Sequence, residues 1–235
     1  DQRGHGDSDW AFDGDYSREA HQKDIEGFFK LMGLSNVTLI GLSMGGHNGA
    51  VFAACHPDLV QALVVVDIAP VGKKEGHQNI RRFTKSFPDE VESFDEMTRR
   101  VHSFNSRRPI EQLRGSLWHN VRQLPSGKWT WKYDKAFRDH RYEPRTSDNL
   151  DLWDLWAKIR CPTLLVRGAE SDIVDQEIME RVQKTISGSC LVTIPHAGHL
   201  VTGDNPAGFT HAVKGFLSTL HQRPSDFEAG RLVDN

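Results

Sequence analysis

The sequence predicts an α/β fold built on a mostly parallel sheet, and three observations carry that prediction. Short apolar runs rich in branched residues alternate with segments of helical periodicity. One run, Ala62-Leu63-Val64-Val65-Val66, is continuously apolar, as expected of a parallel strand covered on both faces. A glycine-rich stretch, Gly41-Leu42-Ser43-Met44-Gly45-Gly46, closes a second run, Val37-Thr38-Leu39-Ile40, and leads into small residues. It fits the G-x-S-x-G corner, where a strand hands the chain to a helix with a serine at the tip.

The elements follow in order. Ser17 is placed to cap a helix running to Met32, with Ile25, Phe28, Phe29 and Met32 on one stripe and Gly33 as the stop signal. Residues 37–42 form the strand before the corner. Gly41 and Gly45 supply the smallness a tight corner demands, and Gly46 and Gly49 let the next helix approach the strand. That helix carries Gly46 to Cys55 and ends near His56-Pro57, because a residue before proline is pushed out of helical geometry. The strand at 62–66 runs into Asp67-Ile68-Ala69-Pro70.

From about residue 72 to 158 the chain turns rich in charge and tryptophan. Val91, Phe94, Met97, Val101 and Phe104 recur at helical spacing, as do Ile110, Leu113, Leu117 and Val121. Leu124 to Trp131 reads as a turn entering a short strand. The alternation then resumes with a strand at Thr163–Gly168, a helix around Gln176–Ile186, a strand at Cys190–Ile194 and a final helix near Pro206–Leu220. The polar tail after Arg223 reads as loose.

The totals bound the function. A chain of 235 residues suits one domain with room for an inserted subdomain. Its 29 basic and 32 acidic residues argue against nucleic-acid or membrane-surface binding resting on bulk charge. Cys55, Cys161 and Cys190 lack C-x-x-C spacing, which suggests no disulfide framework and a reducing, cytoplasmic setting. No stretch approaches a membrane span. Oligomeric state is not legible.

Ser43 is a weak nucleophile at neutral pH and needs a base, which in turn needs an orienting acid. The base candidate is His199, in Ile194-Pro195-His196-Ala197-Gly198-His199-Leu200 after the last apolar strand. His196 lacks a preceding glycine and reads as loop surface. A metal held by His196 and His199 would lack a third ligand, so no metal is expected. The acid stays open between two residues. Asp67 directly follows Leu63–Val66, where an unpaired carboxylate would be costly; a histidine partner or capping of nearby amides would each answer that cost. Asp172 follows the strand at 163–168 in Arg167-Gly168-Ala169-Glu170-Ser171-Asp172.

Together with the serine corner, the opening Asp1-Gln2-Arg3-Gly4-His5-Gly6-Asp7-Ser8 resembles the α/β-hydrolase superfamily, whose members often carry D-x-R-G-x-G-x-S after their fourth strand. The resemblance covers nearly the whole chain. It implies that the glycines turn this loop, that its Asp and Arg tie it down, and that His5 is a loop residue. It also implies that the chain carries strands five to eight and begins after strand four, without the earlier strands and their His-Gly loop. The core would then be 1–71 and 159–223, with a helical cap at 72–158 inserted after strand six and a loose tail at 224–235. The strand at 37–42 would have an unpaired apolar edge, an aggregation hazard, and this chain alone is expected to be poorly soluble or inactive. The cap would roof the active site; Trp118, Trp129, Trp131, Trp153 and Trp156 serve there or in the cap's own core.

The family order of serine, acid and histidine agrees with these candidates, and His199 lies in its G-H-x-x-x-x-D-N-P pattern. On the family's G-x-x-D pattern Ser171 takes the acid's place and Asp172 falls one residue late. Some esterase-like members, particularly those with serine there, use the end of strand six, so Asp67 is preferred, Asp172 is the alternative, and Ser171 becomes a hydrogen-bonding support. The oxyanion hole would use the Met44 backbone amide, with a second amide from the absent loop. The implied activity is that of a serine hydrolase taking a small acyl substrate, a carboxylic ester or else a lactone or amide, through an acyl-enzyme and without a cofactor. Ser43 stands where haloalkane dehalogenases and epoxide hydrolases need aspartate. A carbon–carbon bond hydrolase with the same triad, and a non-catalytic binding module, are the alternatives. Arg81, Arg82, Arg99, Arg107 and Arg108 suit an anionic substrate or solvated helix faces alike.

Overall fold

A computed structural model describes residues 1–137 and 151–220; the tail expected at 224–235 lies outside them. In chain order the first elements are α1 (Arg18–Met32), β1 (Val37–Leu42), α2 (Met44–Cys55), β2 (Val60–Val66) and α3 (Lys74–Ser86). Next come α4 (Phe94–Phe104), α5 (Ile110–Leu117), β3 (Val121–Gln123), β4 (Trp129–Trp131) and α6 (Leu152–Trp156). The last are β5 (Thr163–Gly168), α7 (Gln176–Thr185), β6 (Ser189–Ile194), α8 (Val201–Asp204) and α9 (Pro206–Leu220). Among the described residues the chain divides into two compact units, one of residues 1–24 and 78–137 and the other of 25–77 and 151–220. The amino-terminal loop therefore groups with much of the segment expected as a cap, while 72–77 and 151–158 group with the sheet.

The second unit is built on a four-stranded sheet of order β1-β2-β5-β6 in which every pairing is parallel. The register pairs Leu42 with Val66, Val66 with Val166, and Gly168 with Ile194, so the strands' carboxyl ends finish together. Alternation assigns the two faces. Ala62, Val64, Val66, Leu164 and Val166 form a buried cluster with Ile194 and with Val213 and Phe216 of α9. Leu63 and Val65 are equally inaccessible on the opposite face, where Leu63 meets α2 at Gly49. β2 is thus covered on both sides, the condition its uninterrupted apolar sequence demands.

β1 lies at one edge of this sheet, and Ile40 on it is exposed. The stripe expected on α1 is only partly buried. Phe29 is buried and packs on Phe52 of α2, with ring centroids 4.6 Å apart, whereas Phe28 and Met32 face outward with Leu31. On α1 His21 and Phe29 are buried and Ile25 between them is half-buried, a four-residue spacing along one line of the helix. Ser17 does cap α1, its hydroxyl accepting from the Ala20 amide at 3.2 Å.

In the first unit, Phe87, Val91, Met97, Leu117 and Val121 form a small core with Phe83, Phe94, Trp129 and Trp131 around it. Ser93 caps α4, its hydroxyl accepting from the Glu96 amide. Val121 does not end a helix as expected. It opens β3, which pairs antiparallel with β4 through a turn at Leu124–Lys128 where Gly127 has φ 86°. Trp153 and Trp156 belong to the other unit, Trp153 under the Arg181 guanidinium and Trp156 fully buried. No helix among the described residues is long and apolar enough to cross a membrane.

Candidate active site

Ser43 sits between β1 and α2 with φ 53° and ψ −120°, a conformation that side-chain-bearing residues rarely hold and that tends to mark functional corners. Its amide donates to the Val66 carbonyl at 3.0 Å, and its carbonyl accepts the first helical bond, from His47. The neighbours must be small. A Cβ on Gly41 would lie 2.5 Å from the Gly46 nitrogen and closer still to the Gly45 carbonyl. One on Gly46 would lie 2.6 Å from the Gly41 oxygen. Gly49 differs from expectation: its nearest neighbour, Leu63 Cδ1, would be 3.6 Å from an added Cβ, an ordinary contact. Met44 opens α2, so its amide is among the first four helical N–H groups, which lack an intrahelical acceptor.

The register pairing Leu42 with Val66 makes Ser43 and Asp67 the residues that directly follow the ends of two adjacent strands. Asp67 is fully buried and also holds positive φ, 52°. Three donors converge on its carboxylate. The Gly168 amide reaches Oδ1 at 2.8 Å, and the Ser171 hydroxyl and His199 Nδ1 reach Oδ2 at 2.5 and 2.9 Å. These bonds answer the cost of burying that charge. With Nδ1 donating to Asp67, the neutral imidazole keeps Nε2 as an acceptor, the state a base requires.

The loop bearing His199 is tied at several points. The Gly198 amide donates to Asp204 at 3.0 Å, Asn205 Nδ2 donates to the Pro195 carbonyl, and Asn205 Oδ1 accepts from the Gly208 amide. Glu170 N donates to the Ala197 carbonyl from the end of β5. Asp204, Asn205 and Gly168 were legible as letters of patterns, but nothing in the residues announced that the first two tether this loop or that the Gly168 amide donates to Asp67. His196 is exposed with φ 54°. Asp172 is half-buried beside Ser171, and it is Asp67 that meets the His199 ring.

In the other unit, the opening loop is internally bonded. Asp1 accepts from the Asp7 amide and the Ser8 hydroxyl, and Arg3 pairs with Asp24. The His5 ring lies tilted against Phe137, and burial pushes its imidazole below the ordinary value, with the Arg3 carbonyl opposing that shift. Arg81, Arg82, Arg99 and Arg107 are exposed, and Arg108 donates to the Ser116 hydroxyl.

A family model described as the alpha/beta hydrolase fold matches residues 1–206. The chain is 30% identical over 226 residues to an esterase of Mycobacterium tuberculosis, covering 92% of this chain and 72% of that protein. It is 29% identical to an sn-1-specific diacylglycerol lipase of Mus musculus, covering 93% and 70%. A crystal structure of the mycobacterial esterase superposes with a TM-score of 0.73 at 30% identity, covering 93% of this chain and 73% of that one. The crystal structure of an E-2-(acetamidomethylene)succinate hydrolase gives a TM-score of 0.82 at 22% identity, covering 93% and 80%, a likeness of fold alone.

Proposed function

The chain belongs to the α/β-hydrolase fold family, and on that premise we propose that it is a serine hydrolase of small carboxylic esters, with Ser43, His199 and Asp67 as its triad. The bond of His199 Nδ1 to buried Asp67, one strand from the Ser43 corner, is the observation that carries this reading. Ser43 Oγ attacks the acyl carbonyl while His199 Nε2 takes its proton. Asp67 holds the ring in the required tautomer and stabilises the imidazolium that forms. The Met44 amide, at the start of a twelve-residue helix, donates to the oxyanion. Collapse of the tetrahedral intermediate expels the alcohol, which receives the proton from His199. Water then attacks the acyl-enzyme by the same route in reverse, releasing the carboxylic acid and restoring Ser43.

Esterase and lipase relatives support the substrate class. A cap within residues 72–158 as the chooser of acyl chain belongs to the same proposal. Treatment of the full-length protein with a fluorophosphonate tests the reading. A single covalent adduct on Ser43 is expected, absent from Ser43→Ala, and a folded protein that stays unlabelled would favour a binding module instead.

A further inference from the structure

Ser171 is more than a hydroxyl near an acid. Its Oγ accepts from the Ile173 amide at 3.1 Å and the Val174 amide at 3.3 Å. A serine hydroxyl has two lone pairs and one proton, so with both lone pairs engaged the proton has one direction left, toward Asp67 Oδ2. The orientation of that donor therefore depends on where the 171–174 loop lies. Ile173 and Val174 are buried, and the first turn of α3 rests on this loop. Lys73 N donates to the Ile173 carbonyl at 2.7 Å. Gly76 approaches so closely that an added Cβ would lie 2.6 Å from the Asp172 carbonyl carbon and closer still to its oxygen, with Ile173 Cδ1 at 2.7 Å. A Cβ on Gly72 would lie 2.8 Å from His77 Nε2 and 2.9 Å from the Ile173 oxygen. Backbone cannot yield as a flexible side-chain tip can, so a methyl at Gly76 must displace the loop or the helix.

Resting on the triad reading above, we propose that Gly76 and Gly72 are positioning residues: they seat α3 on the 171–174 loop, which aims the Ser171 hydroxyl at Asp67 and so fixes His199. A displaced loop would leave Asp67 with two donors and a looser imidazole, which lowers turnover without touching substrate binding. The chain of contacts is local and discrete, running from Gly76 through Asp172 and Ser171 to Asp67 and His199.

The test is steady-state ester hydrolysis by Gly76→Ala, Gly72→Ala, Ser171→Ala and the double variant Gly76→Ala with Ser171→Ala, with melting temperatures measured alongside. Gly27→Ala is the control, because its Cβ would meet nothing within 4 Å. Gly76→Ala should lower kcat about tenfold or more while KM moves less than about twofold. In the Ser171→Ala background the same substitution should cost less than about twofold further, since residues acting through one partner are not additive. Gly27→Ala should match the unsubstituted protein in kcat and KM. Should Gly76→Ala fail to fold, Gly72→Ala, with its longer approaches, is read by the same criteria. Wild-type kcat in either folded variant, or an equal loss with and without the Ser171 hydroxyl, overturns the proposal. If the unsubstituted protein takes no fluorophosphonate at Ser43, it is the triad reading that fails. Labelling combined with additive losses sinks the positioning role alone.

Discussion

The sheet unit and the aromatic unit handle burial in opposite ways. In β2 every residue from Ala62 to Val66 is inaccessible, because helices cover both faces of a parallel sheet. In the aromatic unit Phe94, Trp118 and Trp129 touch ring to ring, yet Trp118 remains 55% exposed. The consequence is mechanical. Densely packed strands end at fixed points, and there the backbone can hold Ser43 and Asp67 at positive φ, each at a cost of about 1–3 kcal/mol. Among the described residues of the aromatic unit, no side-chain-bearing residue holds positive φ.

The largest effect separating the two units should be on activity. Ser43→Ala is expected to lower kcat/KM roughly 10³-fold or more while the protein stays folded. Ser43→Gly should be equally inactive but more stable by about 1 kcal/mol, since glycine relieves the corner. A Ser43→Gly variant that melts earlier than the parent would contradict the strain account. No substitution of Trp118 should approach such a loss.

Core truncation comes next. Leu164→Ala in the sheet should destabilise by about 2–5 kcal/mol in urea melts, whereas Trp118→Ala should cost less than about 1 kcal/mol. Similar costs at the two sites would erase the contrast between the units. Smaller again is a comparison of glycines within the sheet unit. Gly41→Ala should cost about 1–3 kcal/mol through its backbone clash, while Gly49→Ala, with ordinary space around it, should be neutral or stabilising by up to about 1 kcal/mol.

How much of this was legible beforehand follows the same division. Alternation and the continuous run at 62–66 disclosed the parallel sheet, because burial on both faces leaves a residue-by-residue mark. The serine corner was legible for a steric reason, the lack of room beside Gly41 and Gly46. Phe28 and Met32 misled, since periodicity says which residues share a face but not whether anything covers it. Val121 misled similarly: helical spacing at 110–121 continued for one residue beyond the turn where the chain enters β3. The seat of α3 on the 171–174 loop could not be read at all. Glycines at 72 and 76 carry no sequence signal that distinguishes a close approach from an ordinary loop.

The smallest effect lies in the aromatic unit. Tyr16 is buried, bonded to Asp134 and to the Ala11 amide, and burial followed by that carboxylate pushes its phenol up to about 12. Between an unfolded phenol near 10 and this value, the unfolded state holds fewer protons. Tyr16 therefore contributes fully below about pH 10, and that contribution is lost as the pH climbs toward 12. Melting temperatures from pH 9 to 12 should fall less steeply for Tyr16→Phe than for the parent; equal slopes would remove Tyr16 from the account.

The central claim is that Asp67, held at the end of β2, orients His199. Ester hydrolysis by Asp67→Asn and Asp172→Asn, each confirmed as folded, tests it most directly. Asp67→Asn should lose roughly 10³- to 10⁴-fold in kcat, because an amide at that position disfavours the required tautomer, while Asp172→Asn stays within about threefold of the parent. The reverse pattern, or full activity in both, would contradict it.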